Sequence, residues 1–252
     1  LAAQLVRYAA SALFGYRGRI DSIADAISRV LGFEKAMHIA LGLSSGKALA
    51  HDYGGPLGLK SVWEHALLSA SLIQRLGTLI GGSNQPNSVN PPKPVPGLLY
   101  LAGLLHNIGF LLLGHFFEGE FRALNEAAFR RGEEPVINLE TELLGTTHCE
   151  LGATLLRRWR MPGEVLTAVL NHHNEDYRGE AAVYANITLL ADRLLKRIGV
   201  GDGDSTELPE GILEALGIRH EAAEEELRSL MEKRREFDAT VNVLLWNATK
   251  RS

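Results

Sequence analysis

The chain has 252 residues, and its 46% hydrophobic content is enough for one large domain or two small ones with a real core. Twenty-six Lys plus Arg against 30 Asp plus Glu give a formal charge of −4; with no basic stripe, this excludes binding nucleic acid by neutralising phosphates. The one cysteine, Cys149, excludes an intramolecular disulfide and suits a reducing, cytoplasmic compartment.

Helical periodicity dominates and strand alternation is nearly absent, which predicts an all-α fold. Residues 2–14, 22–31 and 33–48 read as three helices of a small N-terminal lobe, with Gly32 capping the second. A helix, a glycine and another helix also spell a helix-turn-helix, but Lys35 is the only cation on the reading helix, too few for a DNA groove. The chain turns at 51–58, and 60–76 forms an amphipathic helix. Residues 81–96 hold five prolines among polar residues and predict an exposed loop. Residues 98–114 are apolar on every side and predict one buried helix, with Gly103 and Gly109 admitting close neighbours. Its apolar run is shorter than the roughly 20 residues of a membrane span, so no span is expected. Nor does a charged-then-apolar leader open the chain. A Leu at position 1 implies that further sequence precedes it.

Residues 118–131 predict a surface helix. Thr147 and Glu150 have the spacing of a capping box that starts a helix running to Trp159. Pro162 opens another helix through His172, and 181–197 forms the next. Residues 199–204 read as a flexible turn, and 209–250 as two helices with a charged face suited to pairing with a second copy.

Several polar residues fall on faces that should be buried: His65, His106 with Asn107, His148, His172, His173 and Asp192. Burying them is costly unless they meet one another or a cation. Imidazole plus carboxylate is the ligand set of Zn, Fe, Mn or Ni. Taken singly, each histidine is more often a satisfied core donor, and Asp192 an ion-pair partner of Arg193 or Arg197. No H-x3-H or H-E-x-x-H motif holds two ligands together.

The order and surroundings of these residues resemble the HDOD (HD-related output) domain of the HD superfamily of metal-dependent phosphohydrolases. SVWEHALLSA, GLLHNIGFLLL and above all ELLGTTHCELGATLLRRWRMPGEVLTAVLNHH carry the resemblance. It implies a multi-helix HD-like bundle in a single domain over 1–252. That domain divides into an N-terminal lobe (1–50), a core (57–200) and C-terminal helices (205–252). It also implies a bacterial signal-transduction module working with a signalling partner or a fused sensory or receiver domain. In active relatives the metal ligands are His, His-Asp, His, a His pair and a late Asp. Carried over, these are His65, His106 with Asn107, His148, His172, His173 and Asp192.

The chain departs from that pattern in three places. Asn107 stands where the aspartate of His-Asp would be, Phe110 where a lysine often follows, and no GYP tripeptide follows His173. A carboxamide is neutral and bridges two cations poorly, and its loss of charge weakens attraction for metal by several kcal/mol at an effective dielectric of about 20. The expectation is a non-catalytic output domain whose degraded site holds one divalent metal or none. The alternative is a phosphohydrolase acting on a nucleotide or cyclic dinucleotide.

Other residues mislead. His51-Asp52 is a literal HD pair in a surface turn; His115 should face away from His106, and His38 and His220 should face solvent. Cys149 reads as a packed, idle thiol, and Trp63 and Trp159 as core anchors.

Overall fold

The computed structural model describes residues 54–81, 93–232 and 234. The three helices expected before residue 50, the His51-Asp52 pair, His38 and most of the proline loop lie outside the described residues. Among those residues the fold is all-helical: α1 (Leu59–Leu79), α2 (Pro96–Leu105), α3 (Ile108–Phe116), α4 (Glu118–Arg130), α5 (Val136–Leu144), α6 (His148–Arg158), α7 (Gly163–Asn171), α8 (Ala182–Lys196), α9 (Glu210–Leu216) and α10 (His220–Met231).

The helices α1 and α8 form the spine, each buried along nearly its whole length. Between them Leu72, Ile73 and Leu76 of α1 meet Ile187, Leu190 and Leu194 of α8, and α9 and α10 add Ile212, Leu216 and Leu230 to the same core. A second core joins Trp63 and Leu67 to Tyr100, Leu101, Leu156, Val165 and Val169, tying α1 to α2, α6 and α7. A third lies under α3, α4 and α5 and includes Phe110, Leu113, Leu124 and Leu139. Burying one such side chain contributes about 1.5–3 kcal/mol, so helix placement is set by these stripes.

The apolar run expected as a single helix over 98–114 is two helices, α2 and α3, broken at His106 and Asn107. The His106 ring donates from Nδ1 to the Gly103 carbonyl at 2.7 Å, an acceptor that continuing helix would give to the Asn107 amide. Asn107 then adopts φ −102° and ψ 19°, between the α and β regions. Together Pro96–Phe116 has the length and apolarity of a membrane span, contrary to the shorter estimate from sequence, but 83% of its apolar window is buried inside the fold.

Gly103 and Gly109 do sit at close crossings: a Cβ at Gly103 would lie 2.6 Å from the Ala70 Cα, and one at Gly109 2.0 Å from the His148 carbonyl oxygen. The capping box is formed as expected: the Thr147 hydroxyl accepts from the Glu150 N–H, and the Glu150 carboxylate from the Thr147 N–H. It fixes His148 as the first residue of α6. Two expectations fail. Helix α5 had no counterpart in the sequence reading, because Pro135 and its mixed polar surface hid its period. Trp159 is 39% exposed rather than a core anchor, since it caps α6 beyond Arg157 and Arg158 where the chain turns outward. Trp63 is buried.

Candidate metal centre

The six ionisable residues predicted from sequence, and Asn107, come together. His65 projects from the middle of α1, His106 and Asn107 from the break between α2 and α3, and His148 from the first turn of α6. His172 and His173 follow the end of α7, and Asp192 projects from α8. Ring centroids lie 4.7 Å apart for His65 and His106, 5.1 Å for His106 and His172, 5.3 Å for His148 and His172, and 5.2 Å for His148 and His173. His106 and His148 have no exposed surface. Asp192 takes neither arginine as partner: its Oδ1 lies 3.0 Å from His65 Nε2 and 3.5 Å from His106 Nε2. Arg193 instead pairs with Glu175 and Arg197 with Glu224.

The ring nitrogens are sorted by their partners. Nδ1 of His106 faces the Gly103 carbonyl, and Nδ1 of His172 faces the Val169 carbonyl at 2.9 Å. A carbonyl only accepts, so each Nδ1 carries the proton and each Nε2 presents a lone pair. Nδ1 of His148 donates to Glu140 at 2.9 Å, and Nδ1 of His173 to Asp204 at 3.0 Å. Four Nε2 atoms therefore point inward, held from behind in the way metal-binding imidazoles are. His148 Nε2 and His172 Nε2 are 3.2 Å apart. Two lone pairs at that separation need a proton or a cation between them. Nitrogens bound at about 2.0–2.1 Å to a tetrahedral ion lie roughly 3.4 Å apart, so the spacing fits a shared metal.

Three residues that the sequence reading missed complete the site: Glu140, Asp202 and Asp204. Glu140 is fully buried on α5 and also accepts from the His148 backbone N–H at 2.9 Å. It lies four residues after Val136 and next to Leu139, on the buried stripe of a helix whose period the sequence hides. Asp202 and Asp204 come from the 199–204 segment, which packs against the histidines. Asp202 Oδ1 lies 3.2 Å from His65 Nδ1, and accepts from the Asn107 amide at 2.6 Å. Cys149 is buried, as a packed thiol should be, but its Sγ lies 3.5 Å from His148 Nε2, within ligand spacing of His172 and His173. Phe110, at the place of the missing lysine, stacks on the His148 ring at 4.1 Å and belongs to the core. His115 packs edge-on against Phe116, and His220 pairs on the surface with Glu224.

The surroundings split the pocket, holding His65, His148 and His173 toward the charged form and His106 and His172 toward the neutral one. Burial opposes the His65 cation, yet hydrogen bonds to Asp192 and Asp202 outweigh it and raise its pKa to about 9. Burial likewise opposes His173, but Asp202 and Asp204 raise it to about 10. His148 is raised against its burial by Cys149 and Glu140. Burial dominates at His106, lowered to about 4, and at His172, where the neighbouring imidazoles add to it. Asp202 is held well below the usual carboxylate range, against its burial, by His173 and His65. Several polar atoms remain buried without a hydrogen-bond partner, among them His106 Nε2, His173 Nε2, Asp192 Oδ2 and Asp202 Oδ2. Native folds rarely leave such groups orphaned, and an ion is one remedy. These donors fit a divalent transition metal. His106, His172 and Asp192 form one compact ligand group, His65, His106 and Asp202 another, and His148, Cys149, His172 and His173 a third.

The HDOD family model matches residues 1–175, more than two thirds of the sequence and including every predicted histidine of the cluster. The chain belongs to the HDOD family. Among solved structures, this HDOD chain is similar to a protein of Marinobacter aquaeolei VT8 named as a signal transduction protein, at 32% identity and TM-score 0.83 over 96% of the chain and 52% of that protein. It shares its fold with a Shewanella amazonensis SB2B protein named as a metal-dependent phosphohydrolase, at 19% identity and TM-score 0.59 over 95% of the chain and 80% of that protein. A curated relative is an uncharacterized protein of Treponema pallidum (strain Nichols), 24% identical over 228 residues. The HDOD chain spans 40% of that relative and 52% of the Marinobacter protein. It is an HDOD-family domain with a buried, histidine-rich centre.

Proposed function

We propose that this HDOD domain is a bacterial output module in which His65, His106, His148, His172, His173 and Asp192 hold a divalent transition metal as a structural centre, without hydrolysing phosphodiesters. The observation that carries this reading is enclosure. A cleft of about 370 Å³ runs alongside the site, lined by Lys196, Gly201, Asp202, Gly203, Asp204 and residues of α4 and α5, but by none of the histidines. The 199–204 segment stands between cleft and imidazoles. Catalytic metals keep a coordination position open to substrate, whereas structural ones are closed by protein ligands. When bound, the metal would supply cross-linking between α1, α6, α7 and α8. The protein's own groups fix it: Gly103, Glu140, Val169 and Asp204 orient the imidazoles, and Asn107 holds the segment over them.

A module that covers about half of its Marinobacter relative suits work beside a further domain, a separate signalling partner or a second copy of itself, in a reducing cytoplasm that keeps Cys149 a thiol. The runner-up, hydrolysis of a nucleotide or cyclic dinucleotide, rests on the converging imidazoles alone. Metal analysis of the purified protein together with a phosphodiesterase assay, using bis(p-nitrophenyl) phosphate and a cyclic dinucleotide with Mn²⁺ or Fe²⁺, separates the two. Bound metal without turnover is the expected result. Turnover of about 1 per second or more would establish the hydrolase instead.

A further inference from the structure

We infer that Asp202 is a direct metal ligand, supplying from the 199–204 loop the carboxylate that Asn107 lacks. The inference rests on the metal-centre reading above and goes beyond it, since Asp202 lies outside both the predicted ligand set and the segment matched by the family model.

The two oxygens of Asp202 face opposite halves of the site. Oδ1 is 3.2 Å from His65 Nδ1, and Asp202 forms a compact ligand group with His65 and His106. Oδ2 has no hydrogen-bond partner and lies 3.5 Å from His173 Nε2 and 3.6 Å from His148 Nε2. A carboxylate so placed joins the α1–α2 histidines to the α6–α7 histidines, as a bridging aspartate at position 107 would.

Asn107 and Asp202 are chemically complementary. The Asn107 amide donates to Asp202 Oδ1 at 2.6 Å and approaches His65 Nδ1 at 3.1 Å. An aspartate at 107 would set two carboxylates against each other at that distance, at a like-charge cost that burial makes severe. An amide at 107 and an acid at 202 keep one negative charge in the same place. The pair reads as a carboxylate moved across space rather than lost.

The loop is shaped for this purpose. Gly201 has φ +89°, a left-handed conformation that favours glycine, and a Cβ there would lie 2.5 Å from His65 Nε2. A Cβ on Gly203 would come within 3.0 Å of the Asp192 carbonyl oxygen. A side chain at 201 would clash with His65, and one at 203 would crowd the α8 backbone, so glycines let the loop lie this close to α1 and α8.

Zinc and manganese titrations of chelator-stripped protein, with thermal melts of every variant, test the inference. Asp202→Asn keeps the shape and removes the charge, and should weaken metal binding more than about 100-fold, beyond the 10–100-fold typical of losing an outer-sphere partner. The double variant Asn107→Asp with Asp202→Asn returns a carboxylate to the same place and should recover binding to within about tenfold of wild type. Gly201→Ala retains every ligand but displaces the loop, and should weaken binding at least about tenfold; it is informative even if the first variant folds poorly. If wild type binds metal and Asp202→Asn binds it with a loss below a hundredfold, or if the folded double variant stays as weak as the single one, Asp202 is not a ligand while the metal centre stands. Wild-type protein that takes up no metal overturns both.

Discussion

Glutamine at position 140 tests whether the buried carboxylate of α5 governs His148. Both Glu140 oxygens face His148 Nδ1, at 2.9 and 3.0 Å, and one also accepts from the His148 backbone amide. Glutamine has the same size, keeps one accepting oxygen and replaces the other by an NH2 group. If its oxygen stays on the backbone amide, the NH2 meets Nδ1, drives the imidazole proton to Nε2 and removes the lone pair that faces the metal. Losing a buried, charge-assisted hydrogen bond costs about 1.5–3 kcal/mol. For a domain of this size that lowers the melting temperature by roughly 3–12 °C. Losing the outer partner of a metal-bound imidazole weakens metal binding about 10–100-fold. The assay pairs a thermal melt of apoprotein with a zinc titration by competing chelator. A Glu140→Gln protein that melts lower but binds zinc within twofold of wild type would refute the reasoning, leaving Glu140 as no more than an anchor for the start of α6.

Gly109→Ala places a methyl group 2.0 Å from the His148 carbonyl oxygen, both on packed backbone, and should destabilise the fold by at least about 3 kcal/mol in denaturant melts. Stripping metal from loaded protein should lower stability by about 2.7 kcal/mol when metal had been present at 100 times its dissociation constant, and readdition should restore the melt. The apoprotein should be most stable near pH 6.5 in melts taken across pH. His65 and His173, raised to about 9 and about 10, bind protons more tightly folded than unfolded, so stability present below about pH 6.5 falls as pH rises through those values. His106, lowered to about 4, acts oppositely, so stability also falls as pH drops from 6.5 toward 4. A flat profile between pH 6.5 and 10 would contradict the charged pocket.

Much of this arrangement was legible in the chain: each histidine alone has a bland reading as a core donor, but several on the buried faces of separate helices are costly unless they meet. His65 and Asp192 stood out in this way, and the capping box at Thr147 fixed His148 at a helix start. The break at His106 was not legible: no proline or glycine marks it, and it depends on the imidazole capturing the Gly103 carbonyl. Nor was Asp202. Between two glycines it has the composition of a solvent turn, and its meaning comes from Asn107, 95 residues earlier. Local pattern reports which face of a helix is buried, and it cannot report which loop returns to cover that face. For the same reason Asn107, read alone, signals a lost charge, whereas in the fold it is half of an exchanged pair.

The central claim is that these imidazoles share an ion, and element-specific anomalous diffraction from crystals of metal-loaded protein tests it most directly. The account predicts a peak about 2.0–2.3 Å from Nε2 of both His148 and His172. A map empty at that point, from crystals whose metal is found elsewhere or not at all, would contradict it.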